Sequence, residues 1–268
     1  MMRLFYTVLF LLVTILGVWT FMIAPENGWW FPENYSTYGD SIDGLFNLIM
    51  WFVAVTFVGT EVVLAYCIFK YPHNKPGKAV FSHGSHKLEM IWTAVPAVAL
   101  AIIAFAQMGT WADIKFQDNF PDETYSTEKP IAIVTASQFD WRVRYPDETG
   151  SFESQDVVES AFEFVVPVNE KIVFSLRSRD VLHSFFVPNL RLKQDAVPGM
   201  EIPVWFESEE VGEFDLICAE LCGWGHYKMA GQVTVLSQED YDTWLSEKRA
   251  ALYSNGAEEV ADDEEYEE

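Results

Sequence analysis

Cys218-Ala219-Glu220-Leu221-Cys222-Gly223-Trp224-Gly225-His226-Tyr227-Lys228-Met229 places two thiols, an imidazole and a thioether within a dozen residues. Phe214 to Cys218 leads into the stretch and Gln232 to Leu236 follows it. Both flanks are short and rich in β-branched or aromatic residues, so the dozen reads as a loop joining two strands. Soft donors on such a loop suit copper or zinc.

Further strands are expected upstream at Ile131 to Thr135, Phe139 to Tyr145, Phe162 to Val168, Ile172 to Leu176 and Pro203 to Phe206. Short strands at even spacing, with no helical period between them, favour a Greek-key β-sandwich or small barrel over an α/β sheet. Ser237 is placed to cap a helix running through Tyr253, with Asp240 in its first turn. From Ala257 to Glu268 there are eight acids, no base and one aromatic residue, a composition that predicts disorder.

Working back toward the N-terminus, three apolar runs appear before Gly109: Leu4 to Ala24, Leu45 to Phe69 and Ile91 to Met108. About 20 apolar residues cross a bilayer, so the second and third runs read as membrane helices. Pro96 is expected in the first turns of the third, where its missing N–H is tolerated. The first run is a signal peptide or an anchor. Its end, Phe21-Met22-Ile23-Ala24 before Pro25, is a poor cleavage site and favours a retained helix.

Residues 70 to 88 contain Lys70, Lys75, Lys78 and Lys87 and no acid, whereas residues 25 to 44 contain four acids and no base. The lysine loop is therefore expected on the cytoplasmic side and everything after Gly109 outside. The expected organisation is a signal peptide or first helix over 1–24 and a two-helix hairpin over 42–109. A sandwich over 126–237 that carries the donor-rich loop and a helix with an acidic tail over 238–268 complete it.

Beyond Gly109 there are 12 bases against 34 acids, a net charge of −22, which argues against a nucleic-acid partner and would draw a basic one. Cys67 lies in an apolar run and reads as a small buried hydrophobe, leaving Cys218 and Cys222 as the two aqueous cysteines. His73, His83 and His86 lie in the lysine loop, so His183 and His226 are the two imidazoles on the same side as those cysteines. No Cys-x-x-Cys-His occurs, so the chain carries no covalent haem.

Three readings fit these donors. A Cys218–Cys222 disulfide suits an oxidising compartment but leaves His226 and Met229 without a role. Tetrahedral zinc could take Cys218, Cys222, His226 and His183. Met229 favours copper, since a thioether is a usual axial ligand for copper held by thiolate and imidazole. Two thiolates also exceed what one blue copper needs.

The stretch resembles Cys-x-Glu-x-Cys-x-x-x-His-x-x-Met of cytochrome c oxidase subunit II. Asp180-Val181-Leu182-His183-Ser184-Phe185-Phe186-Val187-Pro188 and Leu192-Lys193-Gln194-Asp195-Ala196-Val197-Pro198-Gly199 are similar to that family's upstream run. Glu89-Met90-Ile91-Trp92-Thr93-Ala94-Val95-Pro96 looks like its Glu-x-Ile-Trp-Thr-x-x-Pro, so the likeness spans roughly residues 40 to 236. It implies two N-terminal membrane helices, or three, followed by a cupredoxin-like sandwich with a binuclear copper centre. Cys218 and Cys222 would bridge the coppers, His183 and His226 would each cap one, and Met229 and the Glu220 carbonyl would complete the set.

The same resemblance implies a magnesium at the Glu220 side chain, shared with subunit I, and proton uptake at Glu89. It implies a separate c-type cytochrome as donor and haem in subunit I as acceptor, where oxygen is reduced, in a bacterial cell membrane. Gln138-Phe139-Asp140-Trp141 departs from the family's Gln-Trp-x-Trp, whose first Trp receives the electron, leaving Phe139 and Trp141 as candidates. Trp141 reads equally as a core aromatic or as part of an exposed patch. A quinol-oxidase subunit keeps this fold but lacks the copper ligands. Nitrous oxide reductase and some nitric oxide reductases use a similar copper pair, and the helices and the Glu89 motif favour the oxidase. Copper-delivery proteins with a Cys-x-x-x-Cys pair place their His far downstream of it. Glu61, deep in the second run, is expected to face a partner subunit.

Overall fold

The three apolar runs form three helices in the computed structural model, which describes residues 2–71, 81, 83–154 and 156–265: α1 (Met2–Ile23), α2 (Gly39–Lys70) and α3 (His86–Lys115). Each is long and apolar enough to cross a membrane. Their apolar side chains, such as Leu11, Val63, Leu100 and Phe105, point outward, and α3 buries none of its residues. A helix apolar all round is suited to lipid, because its backbone bonds are satisfied internally. The hydroxyls within α1 follow suit, Thr14 donating to the Phe10 carbonyl and Thr20 to that of Leu16.

Two expectations need correcting here. Pro96 lies in the interior of α3, because the helix starts at His86, ahead of the apolar run, with the Ser85 hydroxyl accepting from the Leu88 N–H. Cys67 is exposed on α2 rather than buried. His73, Lys75 and Lys78 lie outside the described residues.

The chain divides into a helical unit (Met1–Pro32 and Ser41–Thr110) and a β unit (Glu33–Asp40 and Trp111–Glu268). The β unit contains β1 (Ile133–Ser137), β2 (Asp140–Tyr145), β3 (Val158–Ala161), β4 (Glu163–Pro167) and β5 (Ile172–Ser178). It continues with β6 (His183–Val187), β7 (Leu192–Ala196), β8 (Glu201–Phe206), β9 (Gly212–Cys218), β10 (Ala230–Leu236) and helix α4 (Gln238–Glu265). Two five-stranded sheets result, in the orders β3-β2-β1-β5-β8 and β4-β10-β9-β6-β7. The β1–β5 and β4–β10 pairs are parallel and the others antiparallel, as in a cupredoxin-like Greek key. Trp141, Phe164, Phe174, Phe185 and Phe206 are fully buried between the sheets and meet ring to ring.

Seven strands fall where expected, and β3, β6 and β7 are additional. The Ser237 hydroxyl caps α4 by accepting from the Asp240 N–H at 3.1 Å. The helix runs to Glu265, past Tyr253 and into the stretch expected to be disordered. Alanine and glutamate dominate that segment, and both favour helix even where no core is available.

The segment between α1 and α2 joins the β unit. Ser36 bridges Ser208, the Tyr35 N–H donates to the Asn189 carbonyl, and the Glu209 N–H donates to the Tyr35 carbonyl. The Tyr35 ring lies on Phe214 and the Tyr38 ring on Trp205.

Candidate metal centre

Strand alternation aims the donors. In β9, Phe214, Leu216 and Cys218 occupy successive inward positions, so the last residue of the strand turns its thiol toward the core. In β6, His183, Phe185 and Val187 share the inward face. Phe185 is in register with Cys218, and the Ala219 N–H donates to the Ser184 carbonyl, which carries the ladder to the level of His183. On the other side of β9, the Cys218 N–H donates to the Met229 carbonyl and closes the loop into β10. Three neighbouring strands of one sheet thus deliver His183, Cys218 and Met229 to one end of the core.

The donor atoms meet there. His183 Nδ1 lies 3.2 Å from Met229 Sδ and 3.9 Å from Cys218 Sγ. Cys218 Sγ lies 3.9 Å from Cys222 Sγ and 3.2 Å from the Glu220 carbonyl oxygen. Cys222 Sγ lies 3.6 Å from His226 Nδ1 and 3.7 Å from Met229 Sδ. His183, Cys218 and Cys222 place ligand atoms within 4.8 Å of one another, and all three are buried. Both thiols are free, so the disulfide reading does not hold. Burial, helped by the neighbouring Cys218 thiol, pushes Cys222 up to about 11. A thiol held this high beside a second sulfur becomes an anion only with a cation next to it, as a metal site requires.

Residues to which sequence reasoning gave no such supporting role hold this geometry. Asp180 Oδ1 accepts from His183 Nε2 at 2.8 Å, leaving Nδ1 directed at the sulfurs. Burial acts to raise the Asp180 carboxyl, but its bonds from His183 and from the Gln138 and Val181 N–H groups outweigh that and hold it below the usual range. Gln138 Nε2 donates to the Cys222 carbonyl. The Phe139 ring fills the space beside Gly223 and Gly225, where a Cβ on Gly225 would stand 2.4 Å from the ring. Asp180, three residues before His183, was the one of these with a local signal, since a carboxylate there can reach a ligand imidazole.

The remaining candidates fall as follows. Trp141 is fully buried, its ring 6.3 Å from that of His183 and 5.6 Å from that of Phe185. It is therefore a core residue and not an exposed contact for a partner, which corrects that half of the expectation. Phe139 is half-buried against the metal loop, and the Glu220 side chain is exposed. Glu89 sits in the first turn of α3, exposed, with His86 Nδ1 at 3.9 Å. Glu61 lies in the interior of α2, its Oε2 buried without a hydrogen-bond partner.

The donor set fits copper. Two thiolates, two imidazoles and a buried thioether are soft ligands, and the thioether faces both an imidazole and a thiol.

Comparison with known proteins agrees. Residues 134–236 match the family described as cytochrome c oxidase subunit II, periplasmic domain, and residues 24–109 match its transmembrane domain. Cytochrome c oxidase subunit 2 of Cereibacter sphaeroides is 32% identical over 255 residues, covering 83% of this chain and 81% of that one. Alternative cytochrome c oxidase subunit 2 of Bradyrhizobium diazoefficiens is 27% identical, covering 89% of this chain and 90% of its own. Cytochrome c oxidase subunit 2 of Alkalihalophilus pseudofirmus is 36% identical over 74% of this chain and 56% of its own. With buried thiols, imidazole and thioether gathered at one end of a sandwich that follows three apolar helices in the sequence, the chain belongs to the cytochrome c oxidase subunit II family.

Proposed function

We propose that the cluster binds two copper ions sharing the sulfurs of Cys218 and Cys222. His183 and Met229 complete one side, and His226 with the Glu220 carbonyl oxygen completes the other. The observation that carries this is a pair of sulfurs 3.9 Å apart with an imidazole against each: His183 beside Cys218 and His226 beside Cys222. A single tetrahedral zinc would use four of these donors and leave the Met229 thioether, 3.2 Å from His183, without a role.

Such a pair supplies a one-electron carrier whose charge is spread over two metals. What the chain contributes is stillness: donors fixed by three paired strands, by Asp180 behind His183 and by Gln138 behind Cys222 move little between oxidation states. In this reading a reduced c-type cytochrome delivers the electron and haem in subunit I receives it. Oxygen is reduced to water there, coupled to proton pumping. The exposed Glu220 carboxylate is available to a magnesium shared with subunit I, and Glu89 is the point of proton uptake. A Glu89→Ala variant should slow turnover without removing copper; normal turnover and proton uptake would reject that role.

The lysine loop is read as cytoplasmic, within the organisation into helices, copper-binding sandwich and C-terminal helix set out above. Two observations support this orientation. The 25–44 connection is acidic while the 70–88 connection is basic. Residues 33–40 also pair with the β unit, which suits a connection on the same side as the sandwich, with α2 and α3 crossing between them.

Metal analysis and EPR of the purified full-length protein test the copper reading. Hyperfine splitting from two equivalent copper nuclei is expected; bound zinc, or the spectrum of one isolated copper, would overturn it.

A further inference from the structure

We infer that Trp224 is where an electron enters the copper site, and that its contact is a haem protein whose exposed haem edge is ringed by lysines. This rests on the copper reading above. In the transfer one electron leaves the ferrous haem of the donor, which becomes ferric, and the copper pair is reduced by one; no bond is made or broken.

The two aromatic residues singled out by sequence do not serve. Trp141 has no exposed surface. Phe139 is half-buried, its ring applied to Gly223 and Gly225 as the floor of the metal loop. Trp224 sits between those two glycines and is 85% exposed, the highest value of any large apolar side chain among the described residues. Leu221, at 76%, and Tyr227, at 72%, share its loop.

The exposure is not that of a loose loop. The His226 N–H donates to the Gly223 carbonyl and the Lys228 N–H to that of Gly225, so the backbone on both sides of Trp224 is pinned. A large ring presented to solvent on a fixed backbone has little ordering entropy to lose when a partner covers it, which is how aromatic hot spots work.

Position in the chain adds a second argument. Trp224 is two residues from Cys222 and two from His226, both in the proposed ligand set, so the covalent route from surface to metal is as short on one side as on the other. Charge supplies the third. The chain beyond Gly109 carries a net −22, and Asp180, which accepts from the Gln138 N–H, and Asp140, which pairs with Arg142, flank the Gln138–Phe139 corner. Such a field steers a basic partner, while the apolar centre makes the contact.

The test uses the assembled oxidase carrying Trp224→Ala and Trp224→Phe. Oxidation of a reduced basic c-type cytochrome, binding of that cytochrome to the oxidase, and reduction by the small donor hexaammineruthenium(II) would be measured beside the copper EPR spectrum. Trp224→Ala should slow cytochrome oxidation and weaken its binding by about tenfold or more, the effect of truncating a hot-spot aromatic. Trp224→Phe should fall between it and the parent. The EPR spectrum and the reaction with the ruthenium complex should not change. Equal losses with both donors, a disturbed copper spectrum in both variants, or cytochrome kinetics and binding like the parent's would each overturn the inference. A parent protein without a two-copper spectrum would instead reject the reading it rests on.

Discussion

His183 Nε2 donates to Asp180 Oδ1 across 2.8 Å, and that one bond decides which imidazole nitrogen faces the sulfurs. Asp180→Asn preserves size but removes the anionic acceptor. Loss of an outer-shell partner of a metal-bound imidazole costs about 10–100-fold in metal affinity. A competition titration with a copper chelator should show a fall of that order, with altered EPR parameters. Unchanged affinity and spectrum would mean that the packing of β6 alone orients the ring.

Met229 is almost wholly buried, and leucine nearly matches it in volume, so Met229→Leu should destabilise the fold by less than about 1.5 kcal/mol. The thioether is lost while both thiols and both imidazoles remain. Copper should still bind, with a shifted reduction potential and a distorted EPR spectrum measured by redox titration.

Gly225 is required by its neighbour rather than by its own torsion. A Cβ there would stand 2.4 Å from the Phe139 ring, so Gly225→Ala must displace either ring or loop. Copper content after reconstitution should drop, and the double variant Gly225→Ala with Phe139→Leu should recover part of it. No recovery would place the conflict elsewhere.

The Tyr145 hydroxyl donates to the Val165 carbonyl at 3.0 Å and accepts from the Val165 N–H at 2.7 Å, all within the core. Tyr145→Phe leaves two buried backbone groups of β4 without that partner, a loss of about 1–3 kcal/mol. Chemical unfolding of the purified protein should show this with the copper spectrum intact.

Asp147 accepts from the Thr149 hydroxyl and from backbone N–H groups in the turn after β2, which lowers its carboxyl to about 2. A depressed folded value stabilises the turn in full above the ordinary carboxylate range, and this is lost as pH falls through about 2. An NMR titration should place the Asp147 midpoint well below those of exposed aspartates. A midpoint near the ordinary ~3.9 would show that the turn does not hold in solution.

The membrane helices were legible because a long apolar run has few other meanings, and the donor-rich loop because few stretches hold so many soft ligands. What stayed hidden depends on pairing across the sheet. β7 spans Leu192 and Ala196 with three polar residues between them, and β6 opens on His-Ser and doubles its phenylalanine, so neither displays a clean period of two. The strand that carries His183 was thus met as a motif and not as a strand. Trp141 is a different case: Trp141, Val143 and Tyr145 alternate with Asp140, Arg142 and Arg144, and that pattern alone marks the indole as inward. The Gln138–Cys222 contact, by contrast, joins residues 84 apart in sequence, where composition is silent.

The pairing of residues 33–40 with the β unit bears on any attempt to study the copper-binding part by itself. A fragment cut out after α3 would lose Tyr35 and Tyr38, stripping cover from Phe214 and Trp205 and vacating the Asn189 carbonyl and the Glu209 amide. Those newly bared rings and backbone groups are adhesive, and such a fragment would tend to self-associate. Grafting the eight-residue strap back through a flexible tether would shield them, giving a soluble form whose behaviour reflects the intact chain.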